Sequence, residues 1–229
     1  MTIVILFLQN IFSWIGWQVA SIFDYSPIDN DGLFMTVSVH HIVQALLALS
    51  VIFILKAKDI VGFKLKPKFD IVGIKYTVFF CVAISIYYII VYIIGLRLGS
   101  IAVYDYELNT VNVVGTLSFQ LLLSGTSEEI LYRSLPIVLY KKIINTNKKS
   151  DDVLAVVLTS VLFAIAHINW KQPISVQWLQ IVYAFTLGLA YGFAFIKSQS
   201  VVYPMIMHSV SNFISVGGCY LYMILSNAV

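Results

Sequence analysis

The sequence predicts an all-α, polytopic transmembrane helical bundle of about seven spans. Three observations carry that prediction. The 229 residues are 60% hydrophobic and 11% charged, with a mean hydropathy of +0.91, whereas a soluble domain averages nearer half apolar and a quarter charged. The apolar residues fall in runs of about the 20 residues that cross a bilayer, without the apolar-polar alternation of a membrane β-barrel. The loops between runs alternate in charge.

The runs are 2–23, 33–55, 71–96, 113–140, 153–168, 178–197 and 202–225. The first lacks the positive flank of a cleaved signal peptide and is expected to stay as a span. The fifth is the shortest. Gly217 and Gly218 interrupt the seventh, which could be one helix or two. Asp24, Asp29 and Asp31 occupy the first loop, and Asp105 and Glu107 the third. The second loop holds Lys56, Lys58, Lys64, Lys66 and Lys68, and the fourth Lys141, Lys142, Lys148 and Lys149. Lys and Arg are retained on the cytoplasmic side, which predicts a multi-pass cell-membrane protein with its N-terminus inside. Trp14, Trp17, Trp170 and Trp178 sit near run ends, where interfacial aromatics belong. Segment 60–69 alternates Lys with apolar residues and is a candidate for lying along the inner surface. The basic residues are thus assigned to orientation in the lipid bilayer, and no nucleic-acid partner is expected. Cys81 and Cys219 both lie in apolar runs and read as free thiols. The organisation expected is 1–111, N-terminal spans and basic loop; 112–216, core; 217–229, end of the last span and C-terminus.

Ionisable groups deep in a membrane are costly and usually mark function. They cluster here in three runs. In the fourth, SEEILYR places Glu129 and Arg133 four apart on one helix face, where they can pair, while Glu128 is turned about 100° away. Gln120, Ser124 and Glu128 follow at steps of four and make a polar stripe. The fifth run ends in FAIAH, with Phe163 and His167 four apart. The seventh carries HSVSN, with His208 and Asn212 four apart. At about 1.5 Å per residue, Glu128, His167, His208 and Asn212 all come to a level roughly 15–20 Å from the inner loops. His40 and His41, at the start of the second run, read as interfacial and receive no role.

A carboxylate, two imidazoles and a carboxamide around a wet pocket suit hydrolysis. Glu128, partnered by His167, would take a proton from water. His208 and Asn212 would donate to the oxyanion formed at an amide carbonyl. Ser124, Ser127 and Ser134 lack the base-and-orienter pattern of an activated nucleophile. Zinc is the rival: Glu128, His167 and His208 are a sound ligand set with water in the fourth position, although HExxH is absent. A proton-coupled transporter would also use buried carboxylates.

Taken in order, Glu128-Glu129…Arg133 (EExxxR), Phe163…His167 (FxxxH) and His208…Asn212 (HxxxN) resemble the CPBP family of type II CAAX prenyl proteases and bacteriocin-processing or bacteriocin-immunity (Abi) membrane proteins. The resemblance covers roughly residues 112–216. It implies an intramembrane endopeptidase of glutamate type, with a four-helix catalytic core, that needs no metal or other cofactor. Glu128 and His167 would activate water, His208 and Asn212 would stabilise the oxyanion, and Glu129, Arg133 and Phe163 would shape the site. The partner implied is a peptide or membrane-protein substrate. The Ile-, Lys- and Asn-rich composition looks bacterial, so peptide maturation, pheromone processing or bacteriocin self-immunity is expected before CAAX cleavage. A non-catalytic immunity or scaffold protein of the same fold is the alternative. Oligomeric state is not legible.

Overall fold

The computed structural model describes residues 2–57, 69–99, 101, 103–144, 149–169 and 175–227. Lys58, Lys64, Lys66, Lys68, Lys148 and Trp170, and the candidate surface segment up to residue 68, lie outside the described residues.

Among the described residues seven helices occur, one for each apolar run. They are α1 (Thr2–Ala20), α2 (Met35–Ala57), α3 (Ile71–Leu98), α4 (110–144), α5 (Lys149–Ile165), α6 (Trp178–Ser198) and α7 (Val202–Asn227). Thr2–Ala20, Met35–Leu55, Ile71–Leu98 and Trp178–Ser198 are long and apolar enough to cross a membrane. Their outward faces carry Phe7, Trp14, Phe53, Phe79, Ile90 and Leu179, all exposed. Apolar surface on this scale calls for lipid or another protein against it rather than water.

Buried polar groups fix where the helices start. Asp29 is buried, and its carboxylate accepts from the backbone N–H groups of Leu33 (2.8 Å), Phe34 (2.8 Å) and Met35 (2.6 Å). These are orphan donors at the mouth of α2. Asp70 caps α3 through Gly73 N, and Gly99 ends that helix at φ +57°, a left-handed position that suits glycine. Asn109 caps α4 through Asn112 N.

Loop contacts give the bundle two distinct ends. Asn112 donates to Asp31 Oδ2 at 2.6 Å and to the Glu107 carbonyl at 2.8 Å, so the two acidic loops meet. At the opposite end, Tyr140 at the foot of α4 donates to Thr2 Oγ1, and Tyr203 bonds to the backbone of Asp70. The N-terminus therefore shares an end with the basic connections, as the loop charges predict.

Two features depart from ideal helices. α4 contains two π-helical turns, Gln120–Ser124 and Ile130–Ser134, on either side of Gly125–Glu129. The second has a visible cause. Pro136 has no N–H for the Tyr132 carbonyl four residues back, and Arg133 Nη1 donates to that oxygen instead, at 3.1 Å. The seventh run is one helix. Gly218 does not break it but admits the Tyr92 ring of α3, whose nearest carbon lies 2.2 Å from where a Cβ would stand. The Tyr92 hydroxyl donates to the Ser215 carbonyl across the same seam.

A candidate active site inside the bundle

The centre of the bundle is an ion pair. Arg133 Nε lies 3.3 Å from Glu129 Oε2, with both side chains wholly buried. The spacing of four predicts this pair, and the structure holds it. The guanidinium stacks 4.6 Å above the Phe163 ring and 5.8 Å from Tyr191, so two aromatic faces share its charge. Glu129 also accepts from His208: Nδ1 stands 3.0 Å from Oε1.

His208 then reaches Glu128 with its other nitrogen. Nε2 lies 3.9 Å from Glu128 Oε2, too far for a hydrogen bond and wide enough for a water to sit beside both. The ring is held by stacking on Tyr191, with centroids 5.0 Å apart, and by the edge of Phe163 at 5.6 Å. α4 and α7 come this close because residue 125 is glycine: a Cβ there would stand 2.7 Å from the Ser209 backbone nitrogen.

Asn212 enters the cluster through serine. Its Nδ2 donates to Ser124 Oγ at 2.9 Å, and that hydroxyl faces Glu128 Oε1 at 3.4 Å. An amide nitrogen carries two hydrogens, so one N–H remains for a further acceptor. Gln120 is half-exposed on the same helix.

His167 sits differently from its expected place on a helix face. α5 ends at Ile165, and His167 lies in the turn beyond, its backbone N–H bonded to the Ala164 carbonyl. The side chain still meets Phe163: Nδ1 is 2.8 Å from the Phe163 carbonyl, and the rings are edge-on at 4.8 Å. Among the described residues, no hydrogen bond or ion pair joins His167 to Glu128, although a charged ring there would act on Glu128 through space.

The second nitrogen beside Glu128 belongs to His41 of α2. Its Nε2 lies 3.9 Å from Glu128 Oε1, and its Nδ1 is 2.7 Å from Ser127 Oγ. Neither His40 nor His41 is interfacial: both are buried, His40 stacked on Trp17 at 4.3 Å and His41 edge-on to Phe119 at 5.0 Å. In the sequence, depth was the one trace of His41's position, and depth does not separate it from His40. The same rise of about 1.5 Å per residue puts His41 roughly 24 Å above the basic end of α2, close to the level of Glu128.

The cluster thus gathers one free carboxylate, one arginine-bound carboxylate, three imidazoles and a carboxamide, drawn from α2, α4, α5 and α7, with Tyr191 of α6 beneath them. No three His, Cys, Asp or Glu side chains among the described residues are grouped so as to hold a metal ion.

Residues 110–214 match the family model described as Type II CAAX prenyl endopeptidase Rce1-like. The match begins at the first residue of α4 and contains all three motifs, EExxxR, FxxxH and HxxxN; it leaves out His41. No curated protein and no solved structure gives a significant match. That segment, carried on a bundle of membrane-length helices, is similar to the Rce1-like type II CAAX prenyl endopeptidases, a family of membrane proteases, and supports placing the chain with them.

Proposed function

We propose that the chain is an intramembrane endopeptidase that hydrolyses a peptide bond with water activated by Glu128. The observation that carries the reading is the division of labour between adjacent acids. Glu129 is held by its ion pair with Arg133 and by His208 Nδ1, whereas Glu128 faces two imidazole nitrogens across gaps of 3.9 Å.

In this reading Glu128 takes a proton from water as the water oxygen attacks the amide carbonyl carbon. The carbonyl oxygen becomes an oxyanion and receives hydrogen bonds from His208 Nε2 and the free N–H of Asn212. Glu128 then returns the proton to the departing amine, and carboxylic acid and amine products leave. A neutral His208 already has its hydrogen on Nδ1, because Glu129 only accepts. Donation from Nε2 therefore requires the imidazolium. His167, with Nδ1 tied to the Phe163 carbonyl, keeps Nε2 free to assist Glu128 from the α5 side.

The reading is metal-independent. The alternative zinc set, Glu128, His167 and His208, would need three donors around one point. No step of the reading is routed through a metal. The finer assignments, including peptide maturation, pheromone processing or bacteriocin self-immunity and a cytoplasmic N-terminus, belong to the same proposal. The loop charges support the orientation.

The test compares membrane peptides from cells carrying the wild-type chain with those carrying Glu128→Ala. Loss of a defined cleavage product, with the protein still inserted and resistant to chelator, is expected. A phenotype untouched by Glu128→Gln would instead favour the non-catalytic immunity or scaffold protein.

A further inference from the structure

We infer that His41 is a positioning residue of this site: from α2 it orients Glu128, and the water Glu128 activates, on the carboxylate oxygen that His208 does not reach. The inference rests on the protease reading and extends it into the N-terminal half of the chain, outside the segment that matches the family.

The two oxygens of Glu128 are addressed separately. Oε2 faces His208 Nε2 and Oε1 faces His41 Nε2, each at 3.9 Å. Oε1 is also the oxygen nearest Ser124 Oγ, at 3.4 Å. A water beside Oε1 would therefore find a carboxylate oxygen, an imidazole nitrogen and a hydroxyl within reach, and ordered buried waters typically make about three such bonds.

Donor counting fixes which nitrogen of His41 is basic. Ser127 has one hydroxyl hydrogen. Its oxygen lies 2.7 Å from the Leu123 carbonyl and 3.1 Å from the Ser124 carbonyl, both of which only accept. That hydrogen is committed to the backbone, so at 2.7 Å the serine oxygen accepts from His41 Nδ1–H. In a neutral ring Nε2 then holds a lone pair aimed at the Glu128 side. Setting the tautomer by the bond at the far nitrogen is how orienting partners act on imidazoles. The ring is also fixed in plane, edge-on to Phe119 at 5.0 Å and to His40 at 5.3 Å. The helix that carries it is anchored by the Asp29 cap two turns earlier. A histidine present only for packing needs none of this, and burying its second nitrogen beside a carboxylate without a direct bond would be costly.

Two substitutions separate the inference from a merely structural role. A Gln side chain places its amide near the Nε2 position, whereas Asn places it near Nδ1. The readout is the membrane peptide product that disappears with Glu128→Ala. His41→Ala is expected to lower the rate of its formation about 10- to 100-fold, the usual cost of losing an orienting partner, with KM nearly unchanged. His41→Gln should restore more of the rate than His41→Asn, although Asn is the one that can keep the Ser127 bond. The reverse order, or a product that survives His41→Ala, overturns the assignment while leaving the protease reading intact. No Glu128-dependent product at all sinks the protease reading, and the His41 assignment with it. Independently of any substrate, nitrogen-15 NMR of the chain in lipid bilayers should show a neutral His41 protonated at Nδ1; a ring protonated at Nε2 alone would overturn the inference.

Discussion

α3 and α4 cross the same bundle with opposite distributions of polar groups. The charges of α3, Lys75 and Arg97, lie near its two ends, and Ile86, Ile89, Ile90, Ile93 and Ile94 along its middle are all exposed. α4 carries Glu128, Glu129 and Arg133 at mid-length, with Glu129 and Arg133 wholly buried. α3 is tied at its ends by the Asp70 cap and by Gly99, and along its seam by Tyr92 on α7. α4 is broken by two π turns and touched at its charges by four other helices. The difference teaches that apolarity in this chain says which solvent a helix faces and little about its neighbours. The few polar positions are what specify the arrangement.

Substitutions in the two helices should therefore differ most in the middle. The largest effect is expected at Glu128: its replacement by Ala should lower cleavage by about 10²–10⁴-fold, the usual worth of a general base, read from the rate of product formation in isolated membranes. Arg133→Ala leaves Glu129 with an uncompensated buried charge and should cost about 3–5 kcal/mol, seen as earlier thermal unfolding in detergent. Asn212→Ala removes one oxyanion donor and should cost about 10²-fold in kcat with little change in unfolding, which would separate chemistry from architecture within one cluster. Asp29→Ala deletes the cap that seats α2 and should destabilise by about 1–2 kcal/mol, measured in the same unfolding assay. At the small end, Ile90→Ala on the outer face of α3 should stay within about 0.5 kcal/mol. A large loss there would show that this face is packed against protein, and the contrast between α3 and α4 would fail.

What the sequence made legible follows the same contrast. Seven apolar runs map onto seven helices because the membrane imposes length and apolarity residue by residue. The Glu129–Arg133 pair was readable because both partners sit on one helix at a fixed spacing. His41 was not, since its partner lies 87 positions away and nothing local distinguishes it from His40 beside it. Nor were the π turns. A slip in hydrogen-bond register leaves no compositional trace, and only Pro136 hinted at the second one. His167 was assigned to a helix face because FAIAH continues an apolar run, but the chain turns two residues early and the ring reaches Phe163 by a bond to its carbonyl. At Gly217 and Gly218 the sequence allowed a break; the aromatic ring that fills the space is a feature of α3, invisible from α7 alone.

The paired irregularities of α4 carry one more consequence. Each π turn accommodates roughly one residue beyond an ordinary helix of the same height, so the acids occupy a short regular stretch bracketed by two insertions. A wheel diagram drawn at constant pitch from Thr110 will assign wrong faces to everything after Gln120. Removing a single amino acid from Leu121–Leu123 would convert the upper turn to standard winding and leave Glu128 on the face it already holds, whereas the same deletion in a regular helix would turn it by about 100°. Such a shortened chain should insert normally and keep its acids aimed at α2 and α7, a tolerance that an unbroken helix would not have.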